Sequence, residues 1–286
     1  MTWRLLAVHA HPDDESITMG GSLAHYARAG VEVTILTCTL GEEGEVIPPA
    51  LAGLVAAEAD QLGGYRHGEL AAACVALGVR DHRYLGGIGA FRDSGMVGTP
   101  SAHHPRAFTH AAAGGVDHSR AVAALARVIE EIAPHVVLTY DSDGGYGHPD
   151  HVAAHQVTVA AALSAGVPRV LAVVRPDEAA RAALAAFVVP DGYLPGVPAD
   201  LGYLAPAEQI VVEIDLGHVE RERRAALAAH ATQVELLTDG FALSNRIAQP
   251  LMSREYFKLL AGVPVPRVDS HTQVAADDIF AGLSDD

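Results

Sequence analysis

Two short stretches hold most of the chemistry that this chain can offer: His9-Ala10-His11-Pro12-Asp13-Asp14-Glu15 and Tyr146-Gly147-His148-Pro149-Asp150-His151. Each mixes imidazoles with carboxylates, the nitrogen and oxygen donors that suit Zn2+ with an open position for water. Each also contains His-Pro-Asp, where the proline stiffens the turn by fixing φ. Alone, the first stretch reads equally well as a helix cap, because Asp before a helix is an ordinary N-cap. The second stretch shifts the balance toward a metal site. It too follows an apolar run and opens a helix, and two stiffened arms of one kind are hard to explain as two caps. His9 falls on the preceding strand and reads as structural. His155 lies i+4 from His151, but no glutamate sits between them as in HExxH, so it reads as a structural or supporting residue.

Arms so far apart in the chain need a scaffold that brings them together. Residues 4–10 read as a short buried strand, 15–29 as a helix ended by Gly30, and 31–39 as a second strand rich in β-branched residues. Residues 51–62 and 68–77 have helical composition, separated by Gly63-Gly64-Tyr65-Arg66, and a short strand follows near 82–85. A glycine- and histidine-rich loop over 86–116 is long enough to suggest function. Helix 119–132, strand 135–140, helix 150–164 and strand 169–174 come next, then a strand at 209–215, a helix at 218–237 and a less regular C-terminus. This alternation predicts an α/β protein with a Rossmann-like, mostly parallel sheet and helices on both faces. Ligands in such sheets bind at the C-terminal ends of the strands, where both polar stretches fall. Residues 1–175 are expected to form the core, with 176–286 an αβ extension completing the same domain and a loose acidic tail after 266.

Composition narrows the partners. Nineteen basic against 35 acidic residues give a formal charge of −16, and the sole lysine is Lys258. Such a field repels a nucleic-acid backbone. No stretch approaches the length of a membrane span, and no basic and apolar leader opens the chain, so a cytoplasmic protein acting on a small molecule is expected. Cys38 and Cys74 are too few for a disulfide framework or a zinc knuckle and read as buried small residues.

"HAHPDDE" and "GHPDH", with "TCTLGEEGEV", "QLGGYRHGEL", "FRDSGM" and "DSDGGYGHPDH" between and around them, resemble the metal-dependent N-deacetylases of the PIG-L/LmbE-like family. The likeness is specific from about residue 4 to residue 165 and is strongest to the members that deacetylate N-acetylglucosaminyl-inositol in mycothiol biosynthesis. It implies one Zn2+ per chain, or Fe2+ in cells, held by His11, Asp14 and His151. It further implies Asp13 as general base and His148 as the group that stabilises the oxyanion or protonates the leaving amine. Asp150 would orient His148, and Tyr146 would reach the substrate carbonyl. Arg66 and Asp93 are expected to contact substrate hydroxyls, and Glu45 to line the same cleft. Three alternatives stand beside this reading: a mycothiol S-conjugate amidase, a two-metal phosphoesterase, and a sugar-binding protein on the same scaffold. Too few spare carboxylates argue against the second. A binder would need neither Asp13 nor His148.

Overall fold

A computed structural model describes residues 2–266 and 275–284. Five strands, β1 (Arg4–His9), β2 (Glu32–Thr37), β3 (Asp81–Tyr84), β4 (Val136–Thr139) and β5 (Arg169–Pro176), pair in parallel in the order β3-β2-β1-β4-β5. Their apolar runs, including Leu5, Leu6, Val8, Ile35, Leu36 and Val136 to Leu138, are buried, as strands covered on both faces require. Between them run α1 (Asp14–Thr18), α2 (Gly20–Arg28), α3 (Leu62–Leu77), α4 (His118–Ile132) and α5 (Pro149–Ser164). The chain steps from β1 outward through β2 to β3, then returns to lay β4 on the other side of β1. Right-handed crossovers therefore send the helices of the two halves to opposite faces. The reversal at β1/β4 opens a crevice at their carboxyl ends, and both polar stretches lie there.

The C-terminal portion contributes α6 (Asp177–Ala186), α7 (Pro198–Leu201) and α8 (Glu220–Ala229), with strands β6 (Leu194–Pro195), β7 (Leu204–Ala205), β8 (Ile210–Asp215), β9 (Glu235–Leu236), β10 (Gly240–Ala242), β11 (Ile247–Pro250) and β12 (Arg254–Gly262). Strand β12 inserts antiparallel between β5 and β8, so the central sheet continues past its parallel part. Strands β6, β11, β10 and β9 form a small second sheet. Among the described residues no helix is long and apolar enough to cross a membrane.

Several expected elements take a different form. The helix read over 15–29 breaks at Met19, whose φ is −145°, and just beyond the break a Cβ on Gly21 would stand 2.6 Å from the Leu216 side chain. The break frees the Gly21 and Ser22 amides, which donate to the buried Glu255 carboxylate of β12 at 3.0 and 2.8 Å. Gly63 to Arg66 do not separate two helices but form the first turn of α3, where a Cβ on Gly63 would meet Glu42 Cγ at 2.8 Å. Residues 51–62 hold only part of a 3-10 turn, Pro49–Leu54, that buries no side chain. The helix read over 218–237 ends at Ala229, and β12 was not anticipated at all.

The loop 86–116 is pinned by the buried rings of Phe91 and Phe108, packed edge to face at 5.3 Å. The expected loose tail needs correction too. Residues 275–284 are anchored: Ile279 and Phe280 are buried, Phe280 stacks on Trp3, and the buried Arg169 donates to the carbonyls of Ile279 and Ala281. Residues 267–274 and 285–286, which the same expectation covered, lie outside the described residues.

Candidate metal centre

The first arm leaves β1 with the His9 ring turned into the core, fully buried beside Tyr140. The Ala10 amide donates to the Tyr140 hydroxyl at 2.9 Å, and the His11 amide donates to Asp14 Oδ2 at 2.9 Å, which curls the turn. Asp13 then adopts φ 109°, a conformation that costs a non-glycine residue about 1–3 kcal/mol and persists only where its surroundings enforce it. Two contacts do so. The Asp13 amide donates to Glu15 Oε2 at 3.0 Å, and the Asp13 carboxylate meets Arg66 Nη2 at 3.0 Å. Asp13 makes no side-chain capping bond to α1, so its carboxylate is free of the role that an Asp at this position usually plays.

The second arm follows β4 and opens α5 with Pro149 in its first turn. His148 is the N-cap, its Nδ1 accepting from the Asp150 amide at 3.2 Å. With Nδ1 an acceptor, the proton of the neutral ring sits on Nε2. The His151 ring stacks on Tyr140 at 4.2 Å, and its Nδ1 lies 3.1 Å from the Gly144 carbonyl. That contact makes Nδ1 the donor and leaves Nε2 with its lone pair.

The arms meet at Asp14. His11 Nδ1 stands 3.4 Å from Asp14 Oδ2, and His151 Nε2 stands 3.3 Å from Asp14 Oδ1. The other nitrogen of His11, Nε2, faces Asp150 Oδ2 at 3.2 Å and Asp93 Oδ1 at 3.5 Å. Among the described residues two sets could hold an ion: His11 with His148 and His151, and His11 with Asp93 and Asp150. Burial pushes the Asp13 carboxyl up to about 6, against the opposing pull of Arg66. Burial, reinforced by His11 and His151, pushes the His148 imidazole down to about 3, so that ring is neutral.

Asp150 has a different partner from the one expected. Its carboxylate accepts from the Ser94 amide at 2.9 Å and faces His11, while only its backbone touches His148. The reason is its place in the first turn of α5, where the amide points back to the cap and the side chain points away. Arg66 is buried rather than reaching for solvent, and donates to the carbonyls of Gly41 and Pro12 as well as pairing with Asp13. Asp93 accepts from the amides of Gly95 and Glu43 at 2.8 and 3.2 Å. Tyr146 is half exposed, its hydroxyl 3.4 Å from His151 Nε2. Glu45 lies on the rim. All of these except Asp150 and His151 line one cleft of about 950 Å³, together with His11, Asp13, Asp14 and His148.

Sequence reading missed Tyr140, which backs His151, and Tyr203, whose hydroxyl lies 3.4 Å from His151 Nδ1. It also missed Glu15 and His230, a fully buried pair 2.6 Å apart behind Asp13. "LGYLAP" carried Tyr203 in view; nothing local marks His230.

Comparison with known proteins shows the family. Residues 6–162, which hold both arms, match the PIG-L family, described as GlcNAc-PI de-N-acetylase. The chain is 62% identical over 283 residues to the 1D-myo-inositol 2-acetamido-2-deoxy-alpha-D-glucopyranoside deacetylase of Nakamurella multipartita, covering 98% of this chain and 96% of that one. It is 48% identical to the protein of the same name from Acidothermus cellulolyticus, covering 99% and 96%. The fold is shared with the A40926 pseudoaglycone deacetylase Dbv21, at a TM-score of 0.56 and 20% identity over 92% of this chain and 99% of that one. With the family match spanning more than half its length and a relative this similar along nearly all of it, the chain belongs to the PIG-L family of deacetylases.

Proposed function

We propose that the protein hydrolyses the acetamide of N-acetylglucosaminyl-inositol, giving glucosaminyl-inositol and acetate, with one Zn2+ held by His11, Asp14 and His151. The observation that carries this reading is the convergence of two histidines on the two oxygens of Asp14, with Asp13 beside them, free of a capping bond and paired with Arg66. Ligands about 2.0–2.1 Å from a tetrahedral zinc stand about 3.3–3.4 Å from one another. His11 Nδ1 stands 3.4 Å from Asp14 Oδ2 and His151 Nε2 stands 3.3 Å from Asp14 Oδ1, so each imidazole meets its own oxygen of the carboxylate at about that spacing. Each ring has its far nitrogen held by a carboxylate or a carbonyl, the support that orients a metal-binding imidazole. The two imidazoles and one carboxylate are donor types that suit the ion, which supports this set beside the two closer groupings around His11. The names of the relatives support the substrate.

When bound, such an ion polarises the acetyl carbonyl and lowers the pKa of water to about 7. The rest of the reaction falls to the protein. Asp13 accepts the proton of the attacking water. Tyr146 and the Nε2–H of neutral His148 donate to the oxygen that gains charge as the carbonyl carbon becomes tetrahedral. The C–N bond then breaks, and the proton taken by Asp13 is available to the departing amine, so acetic acid and a free amine balance amide and water. Arg66 keeps Asp13 oriented, and Asp93 and Glu45 offer acceptors to sugar and inositol hydroxyls across the cleft.

Kinetics on chelated and zinc-restored protein test this reading, comparing N-acetylglucosaminyl-inositol, N-acetylglucosamine and a mycothiol S-conjugate. Chelation should abolish turnover, zinc should restore it, and loss of the inositol should lower kcat/KM by at least about tenfold. Turnover indifferent to chelators would overturn the metal. Preference for the S-conjugate would make the protein an amidase, a reading that the size of the cleft also accommodates. A second expectation concerns Asp150. Asp150→Asn removes the carboxylate behind His11, and should weaken metal binding about 10–100-fold in a chelator competition while the fold is retained.

A further inference from the structure

We propose that His230, in the turn after α8, is a positioning residue for the Asp13 base and acts through the carboxylate of Glu15. The proposal rests on the reading of Asp13 as the base.

Asp13 holds its carboxylate from a strained backbone, and the bond that fixes that backbone runs from the Asp13 amide to Glu15 Oε2 at 3.0 Å. The opposite oxygen, Oε1, accepts from the Ser16 hydroxyl at 2.6 Å and meets His230 Nε2 at 2.6 Å. Glu15 and His230 are both fully buried. Among the described residues His230 Nδ1 has no hydrogen-bond partner, so Glu15 is the one polar contact its ring makes. The ring therefore donates through Nε2 and fixes which way the Glu15 carboxylate faces.

His230 is itself held firmly. Its carbonyl accepts from the amides of Gln233 and Val234 at 2.9 and 2.8 Å, and its own amide donates to Leu227. Two residues on, the Thr232 amide and hydroxyl bind the buried Glu69 of α3 at 2.8 and 2.6 Å. The Thr232 carbonyl accepts from Ile47, in the loop that carries Glu45. A turn from the C-terminal portion thus braces the catalytic loop from behind, and it does so outside the segment 6–162 that matches the family. Without the His230 donor, Glu15 Oε1 keeps only the Ser16 hydroxyl, and the carboxylate that constrains the Asp13 amide is held less firmly. The metal ligands keep their own supports, Asp150 and Gly144. The loss should therefore fall on proton transfer rather than on metal or substrate binding.

Two substitutions separate this role from simple packing. Glutamine places an N–H donor close to the position of Nε2, whereas the shorter asparagine does not reach it. In zinc-loaded protein acting on N-acetylglucosaminyl-inositol, His230→Gln should stay within about threefold of the parent. His230→Asn should lose about 10–100-fold in kcat with KM and zinc per chain unchanged. In an Asp13→Asn background, His230→Asn should change the residual turnover by less than about twofold, because residues acting as one unit are not additive. Equal losses for Gln and Asn, an unchanged kcat for His230→Asn, or the same loss in the Asp13→Asn background would overturn the proposal. Failure of the underlying reading looks different: Asp13→Asn alone would then leave kcat intact.

Discussion

Replacing Asp13 with Asn should lower kcat by about 10²–10⁴-fold, the contribution typical of a positioned base, while zinc stays bound at one equivalent per chain. The two halves of this expectation come from different contacts. Asn keeps the shape of the side chain and the amide bond to Glu15, so the turn that presents Asp14 to His11 and His151 should persist. What Asn lacks is a lone pair basic enough to take a proton. Arg66 loses its ionic partner but keeps the carbonyls of Gly41 and Pro12, which limits the damage to the fold. Steady-state kinetics with elemental analysis on the same sample provides the check. Loss of zinc together with activity would mean that the two neighbouring aspartates have exchanged roles.

The second large effect is expected from His151→Ala, which should strip the metal and with it all turnover. His151 is fully buried, stacks on Tyr140 and aims Nε2 at Asp14, so the position is built around this one imidazole. The weakening should exceed the about 10–100-fold expected of a supporting residue such as Asp150, because a ligand is removed and not merely its orientation. Elemental analysis that finds one equivalent retained would overturn the ligand assignment and favour the set of His11, Asp93 and Asp150.

What could be read from the sequence was what is local. Apolar strands, the helices between them and the two His-Pro-Asp turns are written in contiguous residues, so the parallel sheet and the meeting of both arms at its carboxyl end followed from alternation alone. Long-range pairing was not legible. Strand β12 carries no signature of its own, because its place between β5 and β8 depends on two partners elsewhere in the chain. Glycines misled in both directions. Gly63 and Gly64 resembled a helix break and turned out to sit inside α3, while Gly20 and Gly21 passed for helix interior and mark a real break. Within the site, the family resemblance implied that Asp150 serves His148, yet the carboxylate crosses to His11 on the other arm. Tyr203 and His230 were out of reach for the same reason as β12: their meaning exists only once the C-terminal portion has folded back.

That folding back has a consequence for how the molecule is made. Glu255 reaches across 234 positions to hold the Gly21 amide at the start of α2, directly behind the first arm. A chain emerging from the ribosome can pair its early strands as they appear, but it must hold one edge of β5 open until residues near 262 are available. Closing so long a loop is slow, and the entropy is lost before the contacts reward it. The loop that bears His11, Asp13 and Asp14 is thus braced among the last parts of the protein, although it is among the first to be synthesised. Until β12 is in place, the Gly21 and Ser22 amides at the start of α2 lack the carboxylate that receives them in the folded protein.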